Sequence, residues 1–145
     1  MNVRELITLH EGRVGHAYED SLGYLTIGVG HLIDSRKGGR LPDEIIDVLF
    51  EFDLRQHTNE LFSVLPWVRD LDSVRQAALI DMYFNLRRGL LGFKETLRHL
   101  QAGNWPAAAD AMMDSKWAVQ VGTRAKRLSK MIRTGIWPDE LQDSK

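Results

Sequence analysis

Three side chains near the start of the chain have the types and spacing for acid–base chemistry: Glu11, Asp20 and Thr26. On a helix turning 100° per residue, Glu11 lies about 40° from Ile7 and about 80° from Val3, so it borders the apolar face. It also falls at the end of that helix, where the macrodipole disfavours negative charge. Both effects push its pKa upward, toward a carboxyl that donates a proton near neutrality. Asp20 opens the turn-forming run Asp20-Ser21-Leu22-Gly23, polar and partly solvated, where a carboxylate stays ionised. Two carboxyls driven toward opposite protonation states are what hydrolysis of a glycosidic bond requires. Thr26 adds a hydroxyl able to help position a water. Each residue alone has an ordinary explanation: a surface glutamate, a turn aspartate bonding its own backbone, a β-branched strand former. The combination carries the signal.

The elements that must hold these residues can be read from the flanking sequence. Asn2 is a favourable N-cap and Glu5 can close a capping box with it. Val3, Leu6, Ile7 and His10 follow helical spacing, and Gly12 is a natural stop, so Glu11 is the last helical residue. From Val14 to Ile33 the strand formers Tyr18, Tyr24, Thr26, Ile27 and Val29 predict a hairpin or a three-stranded sheet. Alternation puts Leu25, Ile27 and Val29 on one side of the central strand. Tyr24, Thr26, Gly28 and Gly30 lie on the other, which the glycines should leave open. Residues 35–40 read as a loop, and Pro42 starts a long helix to about Phe62 that ends near Leu65-Pro66. Asp72 caps a helix to about Arg87, and further helices fall near 93–102, 105–114 and 123–134, broken at Gly89, Gly92, Gly103 and Gly122. Helices this short need tertiary packing. The expectation is a mostly helical α+β domain over 1–145, with a small antiparallel sheet lobe and connecting helix at about 13–60. Residues 1–12 and 61–145 are expected to be helical, the latter as a bundle, with a cleft between the lobes.

Composition narrows the class. The chain has 145 residues, 43% of them hydrophobic and 27% charged, enough for a core and too apolar for a disordered chain. It has no cysteine, which excludes a disulfide framework and thiolate metal sites. Arg4, Glu5, His10 and Glu11 interrupt the N-terminus where a signal peptide would need an apolar run, and no other stretch reads as a transmembrane span. Net charge is −1 but uneven: six acidic residues and one Arg between Asp43 and Glu60, six basic and no acidic residues between Lys116 and Arg133. A basic segment can serve an acidic polymer or nucleic acid, although a cluster of this size is more often a solvated helix face.

The run Glu11-Gly12, Ala17-Tyr18-Glu19-Asp20 and Gly23-Tyr24-Leu25-Thr26-Ile27-Gly28-Val29-Gly30-His31 closely resembles the active-site segment of the T-even phage lysozymes. These are the phage-type muramidases of glycoside hydrolase family 24. A block from Leu71 to Ala78, with Met82 and Phe84, resembles the central helix of that family's helical lobe. A third block, with Trp117, Arg124-Ala125-Lys126-Arg127 and Arg133-Thr134-Gly135-Ile136-Trp137, resembles its C-terminal region. The resemblance spans nearly the whole chain, in order. Two departures are a shorter connection between His31 and Asp53 and a trimmed loop near Arg87-Arg88-Gly89.

The resemblance implies that Glu11, Asp20 and Thr26 are catalytic and that the chain cleaves the β-1,4 bond between N-acetylmuramic acid and N-acetylglucosamine in peptidoglycan. It implies inversion, with the carboxyls roughly 6.5–9.5 Å apart. It also implies that His31 pairs with Asp53, that Arg124 contacts the catalytic glutamate, and that Gly30, Leu32, Asp81, Phe84 and Asn85 bind substrate. Asp81 and Asn85 share a helical stripe with Val74 and Ala78, and a semi-buried hydrogen-bonded role for them is equally open. Trp105, Trp117 and Trp137 are expected in the core rather than as sugar platforms. No residue set has convincing metal spacing, and the expected enzyme is a monomer without cofactor or nucleic-acid partner. A phage enzyme of this kind would collect in the host cytoplasm and reach the periplasmic wall through a partner holin. Two other readings compete. A lytic transglycosylase needs the acid but not an Asp–Thr water site, and a non-catalytic binder would use the basic segment without turnover.

Overall fold

The computed structural model describes residues 2–19, 22–29, 31–33 and 40–139, and of Val3 and Glu11 it describes the backbone alone. The chain divides into two compact units, residues 1–51 and 52–145.

The first unit opens with α1 (Val3–Glu11). Asn2 Oδ1 accepts the Glu5 backbone N–H at 2.9 Å, and the Glu5 carboxylate accepts the Asn2 N–H at 2.9 Å. This is the reciprocal capping box expected of the sequence. The helix stops at Gly12, whose φ of 77° favours glycine and whose N–H reaches the Thr8 carbonyl at 2.8 Å. An antiparallel sheet follows in the order β1 (Val14–Glu19), β2 (Leu25–Gly28), β3 (His31–Leu32). Tyr18 and Leu32 flank Thr26 from either side. Between Val14 and Tyr18 the register slips: four steps along β1 meet two along β2, from Gly28 to Thr26. A bulge of this kind bends the strand next to the turn that carries Asp20 in the sequence.

Helix α2 (Asp43–Val64) begins in the first unit and ends in the second. A 3₁₀ turn at Pro66–Asp70 follows, then α3 (Ser73–Leu86) and a second 3₁₀ turn at Arg87–Gly92. The remaining helices are α4 (Lys94–Gln101), α5 (Trp105–Met113), α6 (Lys116–Val121) and α7 (Thr123–Thr134). Asp72 caps α3 by accepting the Arg75 N–H at 3.1 Å, as its sequence position suggests. The two 3₁₀ turns and α6 were not anticipated. Ser115 caps α6, but six residues ending at Gly122 show too little periodicity to stand out.

The core of the second unit is continuous. Leu61, Ala78, Leu79, Met82, Tyr83, Leu90, Met112 and Ile132 are fully buried, with α5 packed on both α4 and α7 and α3 on α7. Arg75 ties three helices together. Its guanidinium lies 4.0 Å from the Trp105 ring centre, and its Nε donates to the Ile132 carbonyl at 2.6 Å. A cation on the last carbonyls of α7 also satisfies the helix dipole. Gly135 ends α7 in the left-handed region, φ 67°, and a Cβ there would come within 2.8 Å of the Arg75 guanidinium. Of the three tryptophans expected inside, Trp117 is buried and Trp105 half-buried beneath Arg75, whereas Trp137 is 41% exposed. Trp137 follows Gly135, where the helix has already ended and no longer carries its residues into the core.

Candidate active site

The first unit holds the three residues with acid–base potential. Glu11 closes α1, so its backbone carries the helix's negative end. Asp20 and Gly30 lie outside the described residues. Thr26 sits at the middle of the central strand and is 4% exposed. The alternation anticipated its place on the strand but not its burial. Central strand position brings Tyr18 and Leu32 to either side of it, and flanking side chains cover a short threonine even where its own strand neighbours are glycines. The Thr26 hydroxyl donates to the Tyr24 carbonyl at 3.2 Å. Its proton is thereby committed to the backbone, and its lone pairs remain able to accept from a water. His31 and Leu32 are exposed on β3.

The second unit carries the remaining candidates on α2, α3 and α7. Asp53 is exposed on α2. His31 and Asp53 belong to different units. On α3, Asp81 and Asn85 are one turn apart, and each already has a partner. Arg124 Nε donates to Asp81 Oδ1 at 2.8 Å, and its terminal nitrogen reaches the Asp81 carbonyl at 3.4 Å. Asn85 Oδ1 accepts the Trp117 indole N–H at 2.8 Å. An indole buried to this degree needs such an acceptor. Asn85 itself is exposed, so its amide N–H₂ stays on the surface side. The polar stripe on α3 therefore joins this helix to α6 and α7 while presenting its outer atoms to solvent.

Phe84, half-buried on α3, packs edge-on against His57 of α2 with ring centres 5.0 Å apart. His57 also approaches Tyr83, at 6.3 Å. Burial first, and the Glu60 carboxylate second, push the Tyr83 hydroxyl up to about 12; Arg88, paired with Glu60 at 3.4 Å, acts the other way. Glu60 acts on that hydroxyl without closing full hydrogen-bond geometry, and Tyr83 Oη and His57 Nδ1 are both buried without a partner among the described residues. Nothing in the linear sequence marks His57 or Glu60 as neighbours of Tyr83, because they meet only where α2 approaches α3. Among the described residues no three His, Asp or Glu side chains gather as a metal site.

Comparison with known proteins decides the family. The phage lysozyme family profile matches residues 8–133, from the last turn of α1 to the last turn of α7. The chain belongs to the phage lysozyme family. This makes it a lysozyme-type glycoside hydrolase, and its mostly helical α+β fold with a three-stranded antiparallel sheet agrees with the family's. A probable T4-type lysozyme 1 from Dictyostelium discoideum is 28% identical across 92% of this chain and 95% of that protein. The endolysin of Salmonella phage P22 is 30% identical, covering 71% of this chain and 73% of that protein. The pre-baseplate central spike protein of Enterobacteria phage T4 is 32% identical across 93% of this chain, which corresponds to 28% of that longer protein. As a phage lysozyme, the chain has peptidoglycan as its substrate class.

Proposed function

We propose that this phage lysozyme hydrolyses the β-1,4 bond between N-acetylmuramic acid and N-acetylglucosamine, with inversion. Glu11 protonates the leaving glycosidic oxygen. Asp20, ionised, takes a proton from a water that Thr26 helps to hold on the opposite face of the sugar. The observation that carries this reading is the Glu–Asp–Thr set at family spacing inside a chain that matches the family from residue 8 to residue 133. Two local features support it. A carboxyl on the final residue of a helix faces a dipole that favours its protonated form. The Thr26 hydroxyl, donating to its own strand, is oriented to accept from a water. Asp81, Phe84 and Asn85, with Gly30 and Leu32, are proposed to bind the glycan. Arg124 is proposed to orient Glu11, and His31 and Asp53 to pair for stability.

Glu11→Gln tests the assignment. It should abolish clearing of permeabilised bacteria while leaving the circular dichroism spectrum unchanged, and activity near wild type would remove Glu11 from the mechanism. The anomer released from a peptidoglycan fragment, followed by NMR, separates inversion from retention. Mass spectrometry of the products separates hydrolysis from a transglycosylase, which leaves a 1,6-anhydro sugar.

The setting proposed is lysis of a phage-infected cell, with the enzyme gathering in the host cytoplasm as a monomer and reaching the wall through holin lesions. The endolysin relative supports this, and no helix among the described residues is long and apolar enough to cross a membrane. The match to a spike protein supports a second setting, a lysozyme carried on the virus particle. Detection of the chain in purified particles would favour the second.

A further inference from the structure

The residues of α3 proposed to meet the glycan are Asp81, Phe84 and Asn85, and the two polar ones are each held by a side chain from another helix. Asp81 accepts from Arg124 of α7 at 2.8 Å, and Asn85 accepts from Trp117 of α6 at 2.8 Å. Phe84 has no polar atom for such a bond. It follows Tyr83, which is fully buried, and successive residues on a helix point about 100° apart. Phe84 is thereby carried to the margin of the core, where it is half-buried. At that margin the imidazole of His57, from α2, meets it edge-on, with ring centres 5.0 Å apart and planes at 71°. His57 makes the same kind of contact with Tyr83, at 6.3 Å and 65°. All of these residues belong to the second unit.

The His57 contact is one of rings and not of hydrogen bonds. Its Nδ1 is buried without a partner among the described residues, as is the Tyr83 hydroxyl. An unpaired buried nitrogen costs stability, so this polar atom does not account for the residue at this place. The ring does have a specific effect. Aromatic rings carry a negative face and a positive edge, so an edge-on pair selects the tilt of both planes.

We propose that His57 is a positioning residue for the substrate: its ring fixes the plane in which Phe84 meets the sugar. The proposal rests on the reading of Phe84 as a glycan contact. A plane fixed beforehand spares the side-chain ordering that binding otherwise costs. Asp81, Asn85 and Phe84 are then three contacts of one kind, each set by a partner from a different helix. A residue that acts through a binding contact changes KM and leaves the chemical step alone.

The test compares two substitutions in the full chain. His57→Leu fills similar space without an aromatic ring, His57→Phe keeps a ring, and both remove the unpaired nitrogen. His57→Leu should raise KM on peptidoglycan about twofold to tenfold, the strength of one aromatic pair, with kcat unchanged. His57→Phe should restore the parent KM. Phe84→Leu should raise KM by itself, and adding His57→Leu to it should raise KM no further, because His57 acts through Phe84. NMR of the enzyme with isotope-labelled phenylalanine gives a reading without substrate: the Phe84 ring should flip faster in His57→Leu and return to the slower rate in His57→Phe. An unchanged KM in His57→Leu, an equal rise in both His57 variants, or additive effects in the double variant would overturn the inference. An unchanged KM in Phe84→Leu is a separate result: Phe84 is then no glycan contact, and the inference falls with that reading.

Discussion

The two units of this phage lysozyme are stabilised in different ways. Every buried hydrophobic side chain among the described residues lies at Leu61 or beyond, whereas among the described residues of the first unit the one buried side chain is the polar Thr26. The second unit is a packed helical core closed by an Arg75 clamp. The described part of the first is a capped helix of nine residues, three short strands with one bulge, and the start of α2. Segments with few buried apolar contacts open at lower free energy than a packed core. The proposed acid, base and water-holding hydroxyl all belong to the segment with the smaller core. On that proposal the reacting groups and the packed core belong to different stretches of chain, although the residues proposed to bind the glycan and to orient Glu11 include several of the second unit.

That contrast can be broken by substitution. The largest effect expected is on turnover alone. Glu11→Gln should lower the rate about 10²–10⁴-fold, the usual contribution of a general acid, with an unchanged thermal melt. On stability the order reverses. Leu61→Ala, at a fully buried site, should cost about 2–5 kcal/mol in denaturant unfolding. Leu9→Ala, 68% exposed in the first unit, should cost less than about 0.5 kcal/mol. Equal losses at both sites would show that the first unit depends on packing as much as the second. Asn85→Ala strands the buried Trp117 N–H and should destabilise by about 1–3 kcal/mol with a change in tryptophan fluorescence. A raised KM with an unchanged melt would instead make Asn85 a sugar ligand first.

Two smaller effects sharpen the description of α3. Asp72→Ala removes its N-cap, at about 1 kcal/mol. Burial alone would raise the Asp72 carboxyl pKa, but the Arg75 N–H and guanidinium hold it below its ordinary value. The ionised cap therefore contributes fully above the ordinary carboxylate range, and its contribution fades as pH falls through the lowered pKa. The melting difference between parent and variant should shrink in that acidic window. At the other end of α3, Arg87 adopts φ 53° and ψ −131°, a conformation that favours glycine. Arg87→Gly should raise stability by about 0.5–1 kcal/mol, the relief of strain less the added entropy of glycine in the unfolded chain. A lower melting temperature would show that the arginine side chain contributes more than its backbone costs.

How much could be read in advance differs between the same regions. The α1 boundaries, the capping box at Asn2 and Glu5, the Asp72 cap and the span of α7 follow from rules acting within a few residues, and the structure places them at those residues. The Glu11, Asp20 and Thr26 set was legible as a pattern, with roles that remain the proposal tested above. The burial of Thr26 was not legible, since it depends on which strands lie either side. Nor was the exposure of Trp137, which depends on where α7 stops relative to the core.

Local sequence alone determined the helix ends, the strand segment and the order of residue types able to do acid–base chemistry, because caps, turns and periodicity act over a single turn of chain. Tertiary structure decided which groups are partners. Arg124 meets Asp81 43 residues away, Asn85 meets Trp117 32 away, and Arg75 reaches the last carbonyls of α7 57 residues on. Such pairs leave no periodic trace, since their separation along the chain reflects the path of several helices and not the geometry of one.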